Sequence, residues 1–172
     1  GTQVSIAGLQ ALTDAKLKFG VDVTTAEHDA TITNPNNAMF RVGNFVDVSR
    51  DVVSAFAEWQ RNCERGDLEL GLRFRHVETD SGEVAASGMM GDMVTSVGLL
   101  ANAFNAEKRN LDWGSIDALV KYRLHVASGT EWRFEIGTKT RAPSYQELYL
   151  WLPMQSTGGL ADGRTYIGSL DL

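Results

Sequence analysis

The chain has 172 residues, 43% of them hydrophobic and 22% charged, which is ordinary for a globular domain. A net charge of −6 argues against a nucleic-acid partner, since proteins of that class normally carry clustered basic residues. The single cysteine, Cys63, excludes an internal disulfide framework and a multi-cysteine zinc site. The three histidines, His28, His76 and His125, show no ligand spacing, so neither a metal nor a cofactor is expected.

No apolar run approaches the roughly 18 residues that a membrane helix requires. This test does not detect β-barrel strands, whose apolar and polar residues alternate. The chain opens without a signal peptide, so we expect that it either stays in the cytoplasm or lacks its start.

Strict alternation of side chains predicts β-strands along most of the chain. It starts in residues 15–28, where Phe19 and Val21 oppose Lys18 and Asp22, and it is clearest between Leu68 and His76. Phe56 interrupts it, because this residue falls among the polar positions of its strand. The seven predicted strands are 2–9, 15–28, 48–62, 67–79, 113–127, 131–142 and 164–172.

The connections between these strands fall into two lengths. Short turns at 10–14, 63–66 and 128–130 alternate with long connections at 29–47, 80–112 and 143–163. The fold class predicted is therefore all-β: an antiparallel up-and-down meander with tight turns at one end and long loops at the other. Such a layout is typical of a segment of a transmembrane β-barrel with short periplasmic turns and long extracellular loops.

The two faces of the predicted sheet differ in chemistry. One face is apolar and carries Trp59 and Trp132 beside short turns, where an interfacial aromatic girdle would lie. The other face suits a polar lumen or, alternatively, the solvated side of a soluble sheet. Its charged residues are Lys16, Lys18, Asp22, Glu58, Glu69, Arg73, Arg75, Asp117, Lys121, Arg123, Glu135, Lys139 and Arg141.

Two of the long connections have their own patterns. In 80–112, Val97, Leu100 and Phe104 at helical spacing predict a short amphipathic helix. Met89, Met90 and Met93 in the same connection leave open a soft-metal site, although no histidine or cysteine lies there to complete it. The aromatic residues of 143–163 could pack against other loops or stack on a ligand.

The segment Gly137-Thr-Lys-Thr-Arg-Ala-Pro-Ser-Tyr-Gln-Glu-Leu-Tyr149 resembles the R-A-P-x-x-x-E-L-Y segment of TonB-dependent outer-membrane receptors. Residues 49–59 and 69–73 resemble a hairpin that recurs in that family, and 166–172 resemble the segment before its next strand. The resemblance covers about 15–172 and is specific only around Arg141 to Tyr149.

The resemblance implies a barrel wall in the outer membrane of a Gram-negative bacterium, acting in active uptake of a ferric siderophore or another metal chelate. Outer-membrane lipid, a plug domain of the same parent chain and the TonB complex would be its partners. The ligand-binding candidates are Arg141, Tyr145, Glu147, Tyr149 and Trp151, although an anchoring role in the loop competes with ligand contact for Arg141 and Glu147.

The plug, the TonB box and the terminal aromatic strand of that family are absent from the sequence, so residues 1–172 are expected to be a partial barrel domain, incomplete at both ends. The alternative function is a soluble β-barrel or sandwich that binds a small apolar ligand. An enzyme is not expected, because no nucleophile–base or carboxylate pair stands out by its spacing.

Overall fold

The structure, a computed structural model, describes residues 1–11, 14–127, 129–152 and 167–172. It is all-β and antiparallel, as the sequence predicts. The strands are β1 (Thr2–Ala11), β2 (Ala15–Asn34), β3 (Asn37–Cys63), β4 (Gly66–Asp80), β5 (Ala86–Ser87), β6 (Leu111–Ala127) and β7 (Thr130–Thr138). The two helices are α1 (Asp92–Ala106) and α2 (Tyr145–Tyr149).

The strands form one sheet in the order β1-β2-β3-β4-β6-β7, and the two-residue β5 pairs with β3. In the antiparallel β1/β2 ladder, Val4 lies opposite Val23 and Ile6 opposite Val21. In the β6/β7 ladder, Val120 pairs with Ile136 and Leu124 with Trp132. Apolar residues therefore meet apolar residues on one face of each ladder, and the meander predicted from alternation is confirmed.

The chain divides into two compact units. The first unit (1–25, 51–77 and 113–142) contains the connections β1–β2, β3–β4 and β6–β7. The second unit (26–50, 78–112 and 143–172) contains the β2–β3 hairpin, the β4–β6 connection and the segment after β7. Alternate connections of the meander thus belong to the same unit, and those of the first unit are short.

The prediction of a long loop at 29–47 is wrong. β2 continues to Asn34, and β3 begins at Asn37 after the two-residue turn Pro35–Asn36. The turn is stabilised by side-chain amides, since Asn34 Oδ1 accepts from the amide of Asn36 at 2.9 Å and Asn37 Oδ1 accepts from the amide of Met39 at 3.1 Å.

The predicted last strand is also wrong over its described part. Residues 167–172 form a coil and a turn, while residues 164–166 lie outside the described residues. The predicted strand 131–142 ends at Thr138.

The predicted helix in the 80–112 connection is confirmed as α1. Val97, Ala101 and Phe104 form its buried face, whereas Leu100 is 41% exposed. The side chain of Asn105 holds the start of the neighbouring segment, because its Nδ2 donates to Val84 O at 3.0 Å and its Oδ1 accepts from Val84 N at 2.9 Å.

The hydrophobic core belongs almost entirely to the second unit. Its fully buried members include Val42, Val48, Leu148 and Tyr149, and in the first unit only Val77 is buried among the large apolar residues described. Within the described ranges, neither helix is long and apolar enough to cross a membrane.

Candidate functional site

The segment that carries the family resemblance folds into α2. Ser144 begins this helix through a capping box: its hydroxyl accepts from the amide of Glu147 at 3.3 Å, and Glu147 Oε2 accepts from the amide of Ser144 at 2.7 Å. Two backbone donors that a helix start leaves unsatisfied are thereby paired. The carbonyl of Pro143 accepts from Arg50 Nη1 at 2.8 Å, which fixes the entry to the helix.

Tyr145, on the first turn of α2, packs in an aromatic cluster. Its ring stacks on that of His28 with centroids 4.3 Å apart and an interplanar angle of 16°. Phe45 meets the same ring edge-on at 5.2 Å. Tyr145 is half-buried, so this cluster forms part of the surface of the second unit.

Tyr149 and Trp151 are enclosed. Tyr149 is 1% exposed and its hydroxyl donates to the carbonyl of Arg109 at 2.8 Å. Trp151 is 3% exposed and its Nε1 donates to the carbonyl of Gly43 at 3.0 Å. Of the two interpretations from sequence, packing against other loops and stacking on a ligand, these contacts favour packing for Tyr149 and Trp151.

The two charged candidates lie in different units. Glu147 is half-buried and caps α2, which agrees with an anchoring role. Arg141 is exposed at the end of the first unit, and its Nη1 donates to the carbonyl of Ala142 at 3.5 Å. The predicted aromatic residues and Glu147 are therefore together on one segment, and ligand contact by any of the five stays a prediction.

Burial raises the pKa of the Tyr149 hydroxyl above its ordinary value, because the phenolate would lose its hydration. The charge of Asp80 acts in the same direction. The neighbouring Thr79 hydroxyl and the charge of Arg50 act against it. Tyr149 is therefore held neutral.

On the charged face of the first unit, ion pairs connect the strands. Lys18 on β2 pairs with Glu58 on β3 at 3.4 Å, and Lys121 on β6 pairs with Glu69 on β4 at 3.3 Å. Further pairs join Asp22 to Arg73, Arg75 to Asp117, Asp67 to Arg123 and Arg123 to Glu131. Most of these side chains remain partly exposed, so each pair adds little stability alone, but the pattern shows that this face is polar and solvated.

Two apolar residues lie on this charged face, and each is packed beside glycine. The Phe56 ring covers Gly20, where an added Cβ would come within 2.8 Å of it. Lys18 Nζ and the Arg73 guanidinium each lie 5.4 Å from the centre of the same ring. Leu119 packs beside Gly71 and Gly137 of its two neighbouring strands. Gly20 thus leaves room for the ring of Phe56, the residue that interrupts the alternation in the sequence.

Phe56 and Leu119 are among the apolar residues that line a concavity of about 620 Å³. Glu58, Glu69, Arg73, Arg75, Asp117, Glu135 and Lys139 are among the side chains that line it. A volume of this size would hold a small molecule or the side chains of another polypeptide segment.

The opposite face of the first unit is apolar and exposed. Leu72 and Phe134 are each 56% exposed, Ile136 is 73% exposed and Leu70 is 39% exposed. Trp132 shares this face, since it pairs with Leu124 across the β6/β7 ladder. Contiguous exposed apolar residues are uncommon on monomeric proteins in water and are a feature of interaction surfaces.

In the portions of the chain that the structure describes, no group of three or more histidine, cysteine, aspartate or glutamate residues is placed to hold a metal ion. Comparison with known proteins identifies no relative: no family model, no curated protein and no solved structure matches the chain.

The sequence analysis missed several residues that build these sites. The Ser144–Glu147 box has a recognisable S-x-x-E spacing and could have been found. Asn105 and Arg109, in contrast, act through backbone carbonyls and amides, as in the bond from Arg109 Nε to Ser81 O at 3.0 Å. Such acceptors leave no signature in a sequence.

Proposed function

We propose that the chain forms part of the wall and outer loops of a β-barrel in the outer membrane, in a TonB-dependent receptor for a metal chelate. The single observation that carries this proposal is the contrast between the faces of the first unit. Its apolar face is exposed to the surroundings, while its charged face is cross-linked by ion pairs. A barrel wall has this distribution, with lipid on one side and a polar lumen on the other.

The edges of the sheet support a larger assembly. Over the described ranges, β1 pairs only with β2 and β7 only with β6, so the sheet is open. Open edges leave backbone groups unsatisfied, which lipid does not tolerate. In the proposed receptor, further strands of the same parent polypeptide close the wall.

The second unit supplies the proposed outer loops. Half-buried Tyr145, on its cluster with His28 and Phe45, is the predicted ligand residue best placed for stacking on a chelate. A ferric siderophore or another metal chelate is the proposed cargo, and the plug domain and the TonB complex are the proposed partners. These assignments rest on the resemblance of the Arg141–Tyr149 segment.

The soluble alternative requires the apolar residues to surround a closed interior that binds an apolar ligand. Leu70, Phe134 and Ile136 are instead exposed, and the large buried side chains lie almost wholly in the other unit. We therefore favour the membrane wall over the soluble binding protein.

Nitroxide scanning of β7 tests the proposal. Phe134, Glu135 and Ile136 are each replaced by cysteine in a Cys63→Ser background, labelled, and reconstituted in phospholipid vesicles. We expect labels at 134 and 136 to be relaxed by oxygen, which partitions into lipid, and the label at 135 to be relaxed by a water-soluble nickel chelate.

Glu135 serves as the matched control, since it is an adjacent exposed residue on the same strand. Equal access of the nickel chelate to all three positions would contradict the membrane wall. Protection of 134 and 136 from both reagents would instead support the soluble protein with a closed interior.

A further inference from the structure

The apolar face of β3 in the first unit ends at a charged residue on each side. Alternate residues along this face are Asp51, Val53, Ala55, Ala57, Trp59 and Arg61. Val53 is 46% exposed, and the two alanines are also exposed. Asp51 and Arg61 are exposed and make no ion pair within the described ranges. Four apolar residues thus lie between two charges of opposite sign.

The spacing of these two charges matches the apolar band of an outer-membrane protein. Nine residues, 52–60, separate Asp51 from Arg61, and a membrane-spanning β-strand needs roughly 9–11. At about 3.3 Å per residue, the two Cα atoms are ~33 Å apart along the strand. A strand tilt of about 35–45° reduces this to roughly 23–27 Å across the membrane, where the apolar band is about 25 Å tall. The two charges therefore fit the two limits of the lipid hydrocarbon.

The end of the first unit that carries Arg61 also carries tryptophan. Trp59 precedes Arg61 on this face of β3, and Trp132, which is 57% exposed, lies near the start of β7 beside the β6–β7 turn. Tryptophan is enriched at the headgroup layer because its ring is apolar and its N–H is polar. An arginine at that depth can donate two hydrogen bonds to one phosphate. The side chains at this end thus suit a phospholipid headgroup.

We propose that β3 crosses lipid between Asp51 and Arg61, and that the Arg61 guanidinium binds phospholipid phosphate at the end of the wall that carries the short turns. The centre of the bilayer then lies beside Ala55 and Ala57. The inference rests on the proposed function and deepens it, because it names the lipid group that is bound, the residue that binds it and the limits of the lipid-covered surface.

A protein partner fits this face less well than lipid does. The exposed apolar surface continues onto the neighbouring strands, where Phe19 on β2 is 48% exposed and Phe74 on β4 is 51% exposed. A protein would have to be shaped to all of these strands at once, whereas acyl chains cover any apolar surface. The two alanines at the centre of β3 also offer a partner no large side chain to grip.

Fluorescence depth measurements test the limits. In the Cys63→Ser chain, cysteine replaces Asp51, Ala55, Ala57 or Arg61 one at a time and is labelled with bimane in phospholipid vesicles. Lipids that carry a nitroxide quencher at known positions then report the depth of each label. We expect labels at 51 and 61 to lie about 10 Å shallower than the nearer of the labels at 55 and 57, as four residues of tilted strand would give.

Glu58→Cys is the matched control, since Glu58 lies on the charged face of the same strand, in an ion pair with Lys18. Its label should be quenched by iodide in water, and labels at 55 and 57 should not be. Both members of the pair are partly exposed, so the variant is expected to fold.

Solid-state NMR of the full chain in vesicles tests the phosphate contact. The arginine guanidinium carbons carry ¹³C, and dephasing by lipid ³¹P reports those that contact phosphate. We expect the dephased signal to decrease by the share of one arginine in Arg61→Gln. Arg133→Gln is the matched control and should leave the signal unchanged, because Arg133 lies on the charged face and contacts Glu131 at 3.3 Å.

Labels at 51 or 61 as deep as those at 55 and 57, or a dephased signal that Arg61→Gln leaves unchanged, would overturn the inference. Labels at 55 and 57 that meet neither lipid nor water would indicate a protein partner and overturn it as well. The proposed function is judged separately by positions 134 and 136. Labels that report lipid there, together with either failure on β3, would leave the membrane wall standing and remove this inference alone.

Discussion

The buried hydroxyl of Tyr149 makes the free energy of unfolding depend on pH. The free energy of unfolding contains a contribution from this hydroxyl because its pKa is raised in the folded chain and ordinary, near 10.0, in the unfolded chain. That contribution is fully present below pH 10.0 and is lost as the pH rises toward the folded pKa, since the unfolded chain releases the proton first. We expect stability to fall above this pH.

The measurement is urea unfolding between pH 8 and 11, with absorbance at 295 nm following tyrosine ionisation. In Tyr149→Phe the free energy of unfolding should no longer show the part of its decrease at alkaline pH that comes from this hydroxyl. Tyr145→Phe, at a half-buried residue of the same helix, should keep that decrease. An unchanged slope in Tyr149→Phe would show that other groups cause the loss.

The packing of Phe56 on Gly20 predicts a coupled pair of substitutions. Phe56→Ala should lower the free energy of unfolding by about 1–3 kcal/mol, below the ~3–5 kcal/mol of a fully buried phenylalanine, because the ring is partly exposed. Gly20→Ala should lower the free energy of unfolding more in the native chain than in the Phe56→Ala variant. The added Cβ clashes with the Phe56 ring and with the carbonyl of Ile6, and only the clash with the ring is absent from the variant.

A double-mutant cycle in urea measures this coupling. Gly114→Ala is the matched control, because it is also a strand glycine and no atom lies within 4 Å of an added Cβ. Strictly additive costs for Phe56→Ala and Gly20→Ala would rule out the direct contact.

The candidate site could be predicted only in part, for a reason at the level of single residues. The resemblance located Tyr149 and the aromatic content of the 143–163 connection located Trp151, yet their polar atoms contact the carbonyls of Arg109 and Gly43, which are 40 and 108 residues away. Every residue has such a carbonyl, so the sequence carries no mark of the partner. The tertiary fold determines which backbone carbonyl accepts each hydrogen bond.

Among the elements, alternation located most strands, and the failures have clear causes. Residues 29–34 do alternate, but their apolar members, Ala30 and Ile32, fall at even positions, whereas the apolar residues of 17–23 fall at odd positions, so this stretch does not continue the earlier pattern. The Asn34–Pro35 dipeptide was a usable turn signal that marks the hairpin. Over 167–172 the local sequence favoured extended backbone, but no neighbouring strand pairs with it in the described part of the chain.

The two hydrogen bonds between the Asn105 side chain on α1 and the backbone of Val84 predict a local loss of stability on substitution. Asn105→Ala should cost about 1–3 kcal/mol, because it leaves the amide and carbonyl of Val84 without the partners they have now. The amide of Val84 should also exchange its hydrogen faster, which mass spectrometry or NMR can follow.

Asn102→Ala is the matched control, since Asn102 lies on the same helix and is exposed. If both variants changed the exchange of Val84 equally, the effect would belong to the helix as a whole. The specific role of the Asn105 amide would then be wrong.

At the scale of the whole molecule, the two units differ in where their apolar residues lie. The second unit encloses a core that includes Val42 and Leu148, whereas the first exposes Ile6, Phe134 and Ile136. We therefore expect detergent micelles to slow hydrogen exchange in β1, β6 and β7 by covering this face, with little change in α1 and α2.

Hydrogen–deuterium exchange of the full chain with and without micelles measures the difference. Uniform slowing of both units would indicate a general stabilisation instead. No slowing in the first unit would argue that its apolar face does not meet a lipid-like environment.

The glycines on the charged face have a consequence for how the strands find their pairing. A slip of one residue is already forbidden, because it would exchange the two faces. A slip of two residues preserves both faces, so hydrophobicity does not oppose it. It would, however, move the Phe56 ring from Gly20 onto the position of Lys18 or Asp22, where a Cβ already occupies the space. Gly20 therefore fixes the register of β2 against β3, because it is the position at which the Phe56 ring fits without meeting a side chain.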